Sequence, residues 1–216
     1  MTTRVVPLVN GEIYHVINRG VEARTVFLQR RDFQRFVNLL DYYKETRQRK
    51  FSNAPKNELP PGRWKQENLK LAEIICYCLM PNHFHLLLRQ LAGSGISKFL
   101  SLIQNSYTKF FNIKYKRIGP LFQGTFKASH ITNDEQLVHV SRYIHLNPVV
   151  AELIAEPGDY NWSSYTEYVT DKSDKLVNSK TVLSLFKSGK EYKKFVLDHV
   201  DYAKTLAKIK HQTLEI

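Results

Sequence analysis

Acidic residues are absent from a long central part of this sequence. Between Ile74 and Asn133, 60 consecutive residues contain seven lysines and arginines and no aspartate or glutamate. The 216-residue chain has a formal net charge of +12, so this block supplies +7 and the rest of the chain +5. Because protein surfaces ordinarily intersperse both signs of charge, a one-sided block favours a polyanionic partner, whose phosphates lysine and arginine neutralise.

Long hydrophobic runs, signal-like segments and cysteines are also scarce. No apolar run approaches the roughly 20 residues of a membrane span, so we expect no membrane-spanning segment. The start of the chain, Met1-Thr2-Thr3-Arg4, lacks the apolar stretch of a secretory signal. The two cysteines, Cys76 and Cys78, are separated by one residue, so a disulfide between them could not cross-link distant parts of the fold. Such a pair suits a reducing compartment. A cytoplasmic protein is therefore expected.

The charge distribution leaves two kinds of partner and one simpler alternative. Nucleic acid is the leading partner, which would make the protein nucleoid-associated. An anionic membrane surface is the weaker one, since no strongly basic amphipathic helix stands alone. The simpler alternative is a solvated basic surface without a ligand. The chain also lacks a glycine-rich Walker loop, so no nucleotide cofactor is expected.

The hydrophobic pattern predicts an α+β fold, with one antiparallel sheet and helices on one face. The predicted order is β-α-β-β-α-β-α. The elements are a strand at Glu12–Asn18, a helix at Asp32–Arg47, strands at Leu71–Leu79 and His83–Gln90, a helix at Ile96–Tyr115, a strand at Thr125–Ile131, and a helix that begins at a Thr132-Asn133-Asp134-Glu135 capping box and ends at Pro148.

Two parts of the chain lie outside this pattern. Residues 48–69 are polar and rich in proline, which indicates a long inserted loop within a domain spanning residues 1–156. Residues 157–216 form a C-terminal extension with two weaker helices, Thr181–Lys187 and Tyr192–Lys208. We expect this extension to pack on the domain and to add no second enzyme.

A pair of histidines lies on the second strand of the predicted hairpin. Side chains alternate along a strand, so His83 and His85 project from one face and Phe84 from the other. Two neutral imidazoles side by side make a half-site for a divalent metal. The simpler alternative, which a His-x-His pair on its own favours, is that they are surface or hydrogen-bonded histidines. In the expected hairpin Cys78 lies near Phe84 and Cys76 near Leu86, both on the apolar face. Both cysteines are therefore expected to be small core residues.

The third helix places a tyrosine and an asparagine one turn apart. Tyr143 and Asn147 share a stripe beside the core-facing residues. A phenol can act as a nucleophile, and an amide oxygen can ligate a hard metal. The alternative is an aromatic packed at a helix edge, with Asn147 as a C-terminal cap before Pro148.

Several blocks together resemble the single-tyrosine HUH transposases, most closely their REP-associated tyrosine transposase branch. The two main blocks are Met80-Pro81-Asn82-His83-Phe84-His85 and Arg142-Tyr143-Ile144-His145-Leu146-Asn147-Pro148-Val149. Supporting blocks include Tyr14-His15-Val16-Ile17-Asn18-Arg19-Gly20, Gly119-Pro120-Leu121-Phe122-Gln123-Gly124 and Trp162-Ser163-Ser164-Tyr165. The resemblance covers about residues 12–168.

The resemblance implies a ferredoxin-like α+β domain that cuts and rejoins single-stranded DNA. His83, His85 and Asn147 would bind Mg²⁺ or Mn²⁺, and Tyr143 would attack the scissile phosphate to form a 5′-phosphotyrosine. Single-stranded or hairpin DNA would be the partner, and a homodimer is possible. Candidates for contacts with the DNA backbone are Arg19, Arg24, Lys109, Lys114, Lys116, Arg117 and Lys127.

Three other functions stay open at this point. The chain could be a DNA-binding protein descended from such an enzyme and no longer cutting. It could be another HUH nuclease, such as a replication initiator or a relaxase. It could also be a metal-dependent hydrolase that uses water, in which case replacing Tyr143 would leave cutting largely intact.

Overall fold

The computed structural model describes residues 7–44, 70–170 and 176–205. Within them the chain forms four strands and six α-helices, followed by a further helical stretch at 200–205. In chain order these are β1 (Ile13–Arg19), α1 (Arg30–Tyr43), β2 (Ala72–Met80), β3 (His83–Gln90), α2 (Gly95–Lys114), β4 (Lys127–Ile131), α3 (Asp134–Val150), α4 (Tyr165–Val169), α5 (Lys180–Leu183) and α6 (Gly189–Leu197). The predicted insertion at 48–69 lies outside the described residues.

The four strands form one sheet in the order β2-β3-β1-β4, and each neighbouring pair is antiparallel. The chain reaches this order through β1-α1-β2-β3-α2-β4, so the first and third strands lie in the middle of the sheet. This is the ferredoxin-like arrangement, and the α+β class predicted from the sequence is confirmed.

Helices cover both faces of the sheet. The amphipathic helices α1 and α2 pack on one face, against side chains such as Val16, Phe84 and Leu86. Helix α3 and the C-terminal helices pack on the other face, where Cys76 and Leu87 lie. The prediction of helices on one face is therefore wrong for α3. The physical reason is visible in β2 and β3, in which residues pointing to both faces are apolar and need cover.

The hairpin of β2 and β3 has a register that differs from the expected one. Met80 pairs with His83, so Cys78 lies opposite His85 and not beside Phe84. A shift of one residue moves a side chain to the other face of a sheet. Cys76 and Cys78 therefore point to the same face as His85. Both are fully buried, as expected of core residues, and burial raises the pKa of both thiols.

Helix α3 differs from its prediction at both ends. Its N-cap is Asn133, whose side chain accepts a hydrogen bond from the backbone N–H of Gln136, one residue later in the chain than the predicted capping box. At the other end the helix continues through Pro148 to Val150. Proline lacks only its own N–H donor, and the backbone N–H of Ala151 still reaches the carbonyl of Asn147 at 2.9 Å.

The extension after residue 156 packs on α3 and β2. Its helices α4 and α6 supply Tyr168, Tyr192 and Val196 to the second core. The helix predicted at Thr181–Lys187 corresponds to α5, which begins and ends earlier. The helix predicted at Tyr192–Lys208 corresponds to α6, which begins earlier and ends at Leu197, together with a further helical stretch at 200–205; residues 206–208 lie outside the described residues. No helix in the described parts of the chain is long and apolar enough to cross a membrane.

Candidate active site

One face of the sheet gathers polar side chains where β1 and β3 run side by side. His83 and His85 lie on β3, and their direct partners on β1 are Arg19 and Ile17. His15, two residues before Ile17, projects from the same face because side chains alternate along a strand. The antiparallel pairing therefore brings three imidazoles and one guanidinium to a single surface.

The three imidazoles form a chain of contacts. His83 Nε2 lies 3.0 Å from His85 Nε2, and His85 Nδ1 lies 3.0 Å from His15 Nε2. His15 is therefore behind His85 and does not converge with the other two on a common point. In keeping with this, the described residues contain no group of three or more His, Cys, Asp or Glu side chains that could hold a metal ion. The converging atoms are the Nε2 nitrogens of His83 and His85.

All three histidines are neutral at neutral pH. Burial lowers the pKa of His15 to about 4, and burial together with the nearby charge of Arg19 lowers the pKa of His83 to about 4. Burial is also the main cause of the lowered pKa of His85, with further contributions from His83, His15 and Arg19. A neutral imidazole keeps a lone pair, which a metal ion requires of its ligand.

Helix α3 places Tyr143 beside this surface. The Tyr143 ring meets His85 edge-on with ring centroids 5.5 Å apart, and meets His15 at 5.9 Å. Tyr143 is 52% exposed, so it is not an aromatic packed into the core. Desolvation raises the pKa of its phenol, and a hydrogen bond with Asn147 and the charge of Arg19 partly oppose that shift. The phenol therefore lies next to the histidines within one chain.

Asn147 lies one turn after Tyr143 on α3. Its Nδ2 donates a hydrogen bond of 2.8 Å to the backbone carbonyl of Tyr143. Because the helix runs on to Val150, Asn147 is not its C-terminal cap, which removes that explanation for the residue. The hydrogen bond orients the amide so that its oxygen is the atom left to accept or to ligate.

A buried polar network fixes α3 to the rest of the protein. His145 Nδ1 lies 2.8 Å from the Tyr192 hydroxyl and its Nε2 2.9 Å from Ser164 Oγ. The Tyr192 hydroxyl donates to Ser141 Oγ, and Ser164 Oγ accepts from the backbone N–H of Tyr77 on β2. The network explains the Trp162-Ser163-Ser164-Tyr165 block, because Ser164 joins α3 to the sheet. His139 is not part of the site and contacts Arg142 and Phe195.

The seven basic residues predicted to contact DNA do not form one surface. Arg19 and Lys127 lie on the sheet face that carries the histidines. Lys109 lies on α2 beyond the opposite face, where it lines a groove between α1 and α2, and Lys116 is exposed after that helix. The remaining three are engaged within the chain: Arg24 with Glu22, Lys114 with Asp32, and Arg117 with Asn112 and Pro120.

His15 is the site residue that the sequence analysis did not single out. It appears there only within a block of resemblance, with no role of its own. The available signal was the alternation of β1, in which positions 15, 17 and 19 share one face. Without the pairing of β1 with β3, nothing in the sequence indicates that this face meets His85.

Residues 35–147 match the family model described as "Transposase IS200 like". The match covers more than half of the chain, beginning in α1 and ending at Asn147. The chain belongs to the IS200-like transposase family. The resemblance predicted from the sequence is thereby confirmed, and the chain is classed with transposases, which are enzymes that act on DNA.

A solved structure supports the same fold for this IS200-like transposase. It is described as a REP-associated tyrosine transposase bound to a REP hairpin, and it matches with a TM-score of 0.58 and 16% sequence identity. The match covers 88% of this chain and 97% of the other. A search of curated proteins gives no match.

Proposed function

We propose that this chain cuts and rejoins single-stranded DNA through a covalent bond between Tyr143 and a 5′ phosphate. The observation that carries the proposal is the contact of the Tyr143 ring with His85, at 5.5 Å between ring centroids. A half-exposed phenol beside neutral imidazoles on a basic protein suits attack on a phosphodiester better than it suits packing.

The donor set fits one divalent ion. Two nitrogens that bind an ion at about 2.1 Å and at right angles lie roughly 3.0 Å apart, and the Nε2 atoms of His83 and His85 are 3.0 Å apart. Asn147 would add its amide oxygen, and the oxygens of the DNA phosphate favour Mg²⁺ or Mn²⁺. Such an ion supplies Lewis-acid stabilisation of charge on the phosphate.

Arg19 supplies the other positive charge near the reacting groups. It is the cross-strand partner of His83, and its charge lowers the pKa of Tyr143 against the effect of desolvation. We infer that its guanidinium binds the scissile phosphate, since guanidinium groups match phosphate oxygens in shape and charge. In that position it would favour both the phenolate and the charge that develops on phosphorus.

Neither cleavage nor rejoining of the strand needs an external energy source. In cleavage the Tyr143 oxygen bonds to phosphorus, the bond from phosphorus to the 3′ oxygen breaks, and that oxygen leaves as a 3′-hydroxyl after taking up a proton. The phenol proton is released to solvent. In rejoining, a 3′-hydroxyl attacks the phosphotyrosine and returns the phenol. Each step exchanges one phosphoester for another, so neither needs a nucleotide cofactor.

The proposed substrate is single-stranded DNA, including DNA that carries a hairpin. The solved relative is bound to a REP hairpin, which supports hairpin binding here. Arg19 and Lys127 would hold the backbone of the unpaired strand over the site. The exposed Lys109 and Lys116 could reach a flanking stem.

A labelled-strand assay tests the proposal. Oligonucleotides with a hairpin and randomised unpaired flanks are incubated with the full chain and Mn²⁺, then separated under denaturing conditions. A 5′-phosphotyrosine attaches the protein to the downstream fragment. A 3′-end label should therefore migrate with the protein, and a 5′-end label should leave on a free fragment.

Two variants separate the alternatives in this assay. Tyr143→Phe should abolish the adduct, while Tyr202→Phe, at a tyrosine that is 57% exposed in the C-terminal extension, should keep it. Cutting that survives in Tyr143→Phe would indicate a water-using hydrolase. Binding without any cutting by the unmodified chain would indicate an idle DNA-binding protein. Either result contradicts the proposal.

A further inference from the structure

Asn82 determines which nitrogen of His83 carries a proton. The Asn82 Nδ2 donates to the backbone carbonyl of Ala23 at 3.2 Å, so its Oδ1 is the atom that lies 2.6 Å from His83 Nδ1. An amide oxygen can only accept, which requires a hydrogen on His83 Nδ1. A neutral His83 then presents an Nε2 lone pair toward His85.

His85 is held at both of its ring nitrogens. Its Nε2 faces the lone pair of His83 Nε2, and its Nδ1 faces His15 Nε2, each at 3.0 Å. His83 cannot donate from Nε2, so His85 must carry its hydrogen on Nε2 in this arrangement. Its Nδ1 then accepts from His15. The hydrogens run in one direction, from His15 to His85 to His83.

An ion bound between His83 and His85 requires the opposite tautomer of His85. Both Nε2 atoms must offer lone pairs, so the hydrogen of His85 has to lie on Nδ1. His85 is only 2% exposed, and the atom that faces its Nδ1 is His15 Nε2. A buried N–H without an acceptor would oppose that tautomer, whereas a neutral His15 with its hydrogen on Nδ1 accepts it.

We propose that His15 is a positioning residue for His85, and that Asn82 plays the same part for His83. The inference rests on the metal site proposed above. His15 accepts the hydrogen bond from His85 Nδ1 when an ion is bound, and its own hydrogen moves from Nε2 to Nδ1. Hydrogen-bond partners behind metal-binding histidines commonly contribute 10–100-fold to metal affinity.

His15 also packs against both neighbours, so the hydrogen bond must be separated from the packing. Its ring stacks on His85 at 5.3 Å and meets Tyr143 edge-on at 5.9 Å. His15→Phe keeps an aromatic ring and removes both nitrogens. His15→Gln gives up the ring and keeps an acceptor oxygen. If the hydrogen bond matters, His15→Phe should weaken Mn²⁺ binding more than His15→Gln does. If the ring packing matters, His15→Gln should weaken it more.

Titration calorimetry with Mn²⁺ on the full chain tests the role of His15. We expect His15→Phe to weaken Mn²⁺ binding about tenfold or more and His15→Gln to restore it to within about threefold of the unmodified chain. His130→Phe, at a histidine on the neighbouring strand β4, should bind as the unmodified chain does. If the His15→Phe variant binds Mn²⁺ as the unmodified chain does, or if His15→Gln binds Mn²⁺ more weakly than His15→Phe, the proposal is wrong.

Nitrogen NMR of the imidazoles in the unmodified chain tests the proton arrangement without any substitution. On addition of Mg²⁺ the hydrogen of His85 should move from Nε2 to Nδ1 and that of His15 from Nε2 to Nδ1, while His83 keeps its hydrogen on Nδ1. If His83 and His85 respond but His15 does not, this inference fails and the metal site stands. If neither His83 nor His85 responds, the metal site of the proposed function fails.

Discussion

Tyr143 carries a pKa above the ordinary tyrosine value, whereas attack on phosphorus requires its phenolate. Desolvation causes the rise, and among the side chains that the structure describes the positive charge that acts against it is that of Arg19. The histidines around the phenol are neutral and contribute no charge. At the scale of single residues, activation of the nucleophile therefore depends on Arg19 and on a bound cation.

Substitution of Arg19 should slow cleavage more than it weakens binding. Arg19→Gln removes the charge beside Tyr143 and keeps a polar side chain, and we expect the rate of adduct formation to fall about 10²–10³-fold. Single-turnover rates at saturating oligonucleotide measure this effect. Lys98→Gln removes the same charge from an exposed position on α2, beyond the opposite face, where no DNA contact is proposed, and should leave the rate within about twofold. Equal losses in the two variants would show that only overall charge matters.

The resemblance seen in the sequence brought His83, His85, Tyr143 and Asn147 into one hypothesis, and the structure brings Tyr143 beside His85. Their chemical roles stay predictions. His15 and the orienting contact of Asn82 could not be found in the same way, because both depend on which strand lies next to β3. Strand order is a property of the folded sheet, and the local pattern of β1 does not contain it.

At the scale of elements, α3 is held by hydrogen bonds as well as by apolar packing. Its buried His145 and Ser141 meet Tyr192 from α6 and Ser164 from the segment before α4. Every hydroxyl and ring nitrogen in this group has a partner. The C-terminal extension therefore sets the position of the helix that carries Tyr143.

Removal of the Tyr192 hydroxyl should destabilise the protein. Tyr192→Phe leaves His145 Nδ1 and Ser141 Oγ without their shared partner in the core, and we expect a loss of about 1–3 kcal/mol in the free energy of unfolding. Urea denaturation followed by circular dichroism measures the change. Tyr202→Phe in the same extension should change it by less than about 0.5 kcal/mol. Equal changes in the free energy of unfolding for the two variants would show that the Tyr192 hydroxyl does not stabilise the packing of α3.

The first turn of helix α1 contains a buried carboxylate, Asp32, that makes stability depend on pH. Burial alone would raise the pKa of Asp32, but hydrogen bonds from Lys114, Tyr115 and the backbone N–H groups of Gln29 and Leu28 outweigh it and lower the pKa. Below about pH 4 the unfolded chain binds a proton at Asp32 more readily than the folded chain does. This stabilisation is therefore complete above that pH and is lost as the pH falls through the lowered value.

The pH dependence of unfolding by urea isolates this carboxylate. Asp32→Asn should be less stable than the unmodified chain at pH 7, and the difference should shrink as the pH is lowered from about 4 to 3. Asp41→Asn serves as the control, because Asp41 is exposed on the same helix and forms an ion pair with Lys44 at the surface. A difference that stays constant with pH would show that the Asp32 charge does not contribute.

The elements of the fold were largely predictable, and their register was not. The apolar periodicity of α1 and α2 and the alternation in β1 give those elements to within a few residues. The run from Ile74 to Met80 is almost continuously apolar, which indicates burial on both faces but does not say which residue pairs with which. The placement of Cys78 followed from that register, and the second helical layer followed from the burial of both faces.

At the scale of the whole molecule, one chain contains all the groups that the proposed reaction needs. The Tyr143 ring contacts His85 and His15 of its own chain, and α3 is fixed there by the C-terminal extension. An active site shared between two copies would instead require α3 to leave this network. We therefore expect the nucleophile to act on DNA bound by its own chain.

Mixing two inactive variants tests this expectation. His83→Ala keeps the nucleophile and removes a proposed ligand, and Tyr143→Phe does the reverse. Mixed in equal amounts, they should form no more adduct than either variant alone. Recovery of the adduct to a substantial fraction of the unmodified level would show that Tyr143 acts in a partner's site.

The most direct measurement identifies the amino acid that becomes joined to DNA. The adduct formed with Mn²⁺ is trimmed with nuclease, digested with protease and sequenced by tandem mass spectrometry. The account predicts a nucleotide phosphate on Tyr143 and on none of the other tyrosines of the chain. A nucleotide on a different residue, or DNA cut by the protein with no residue modified, would contradict it.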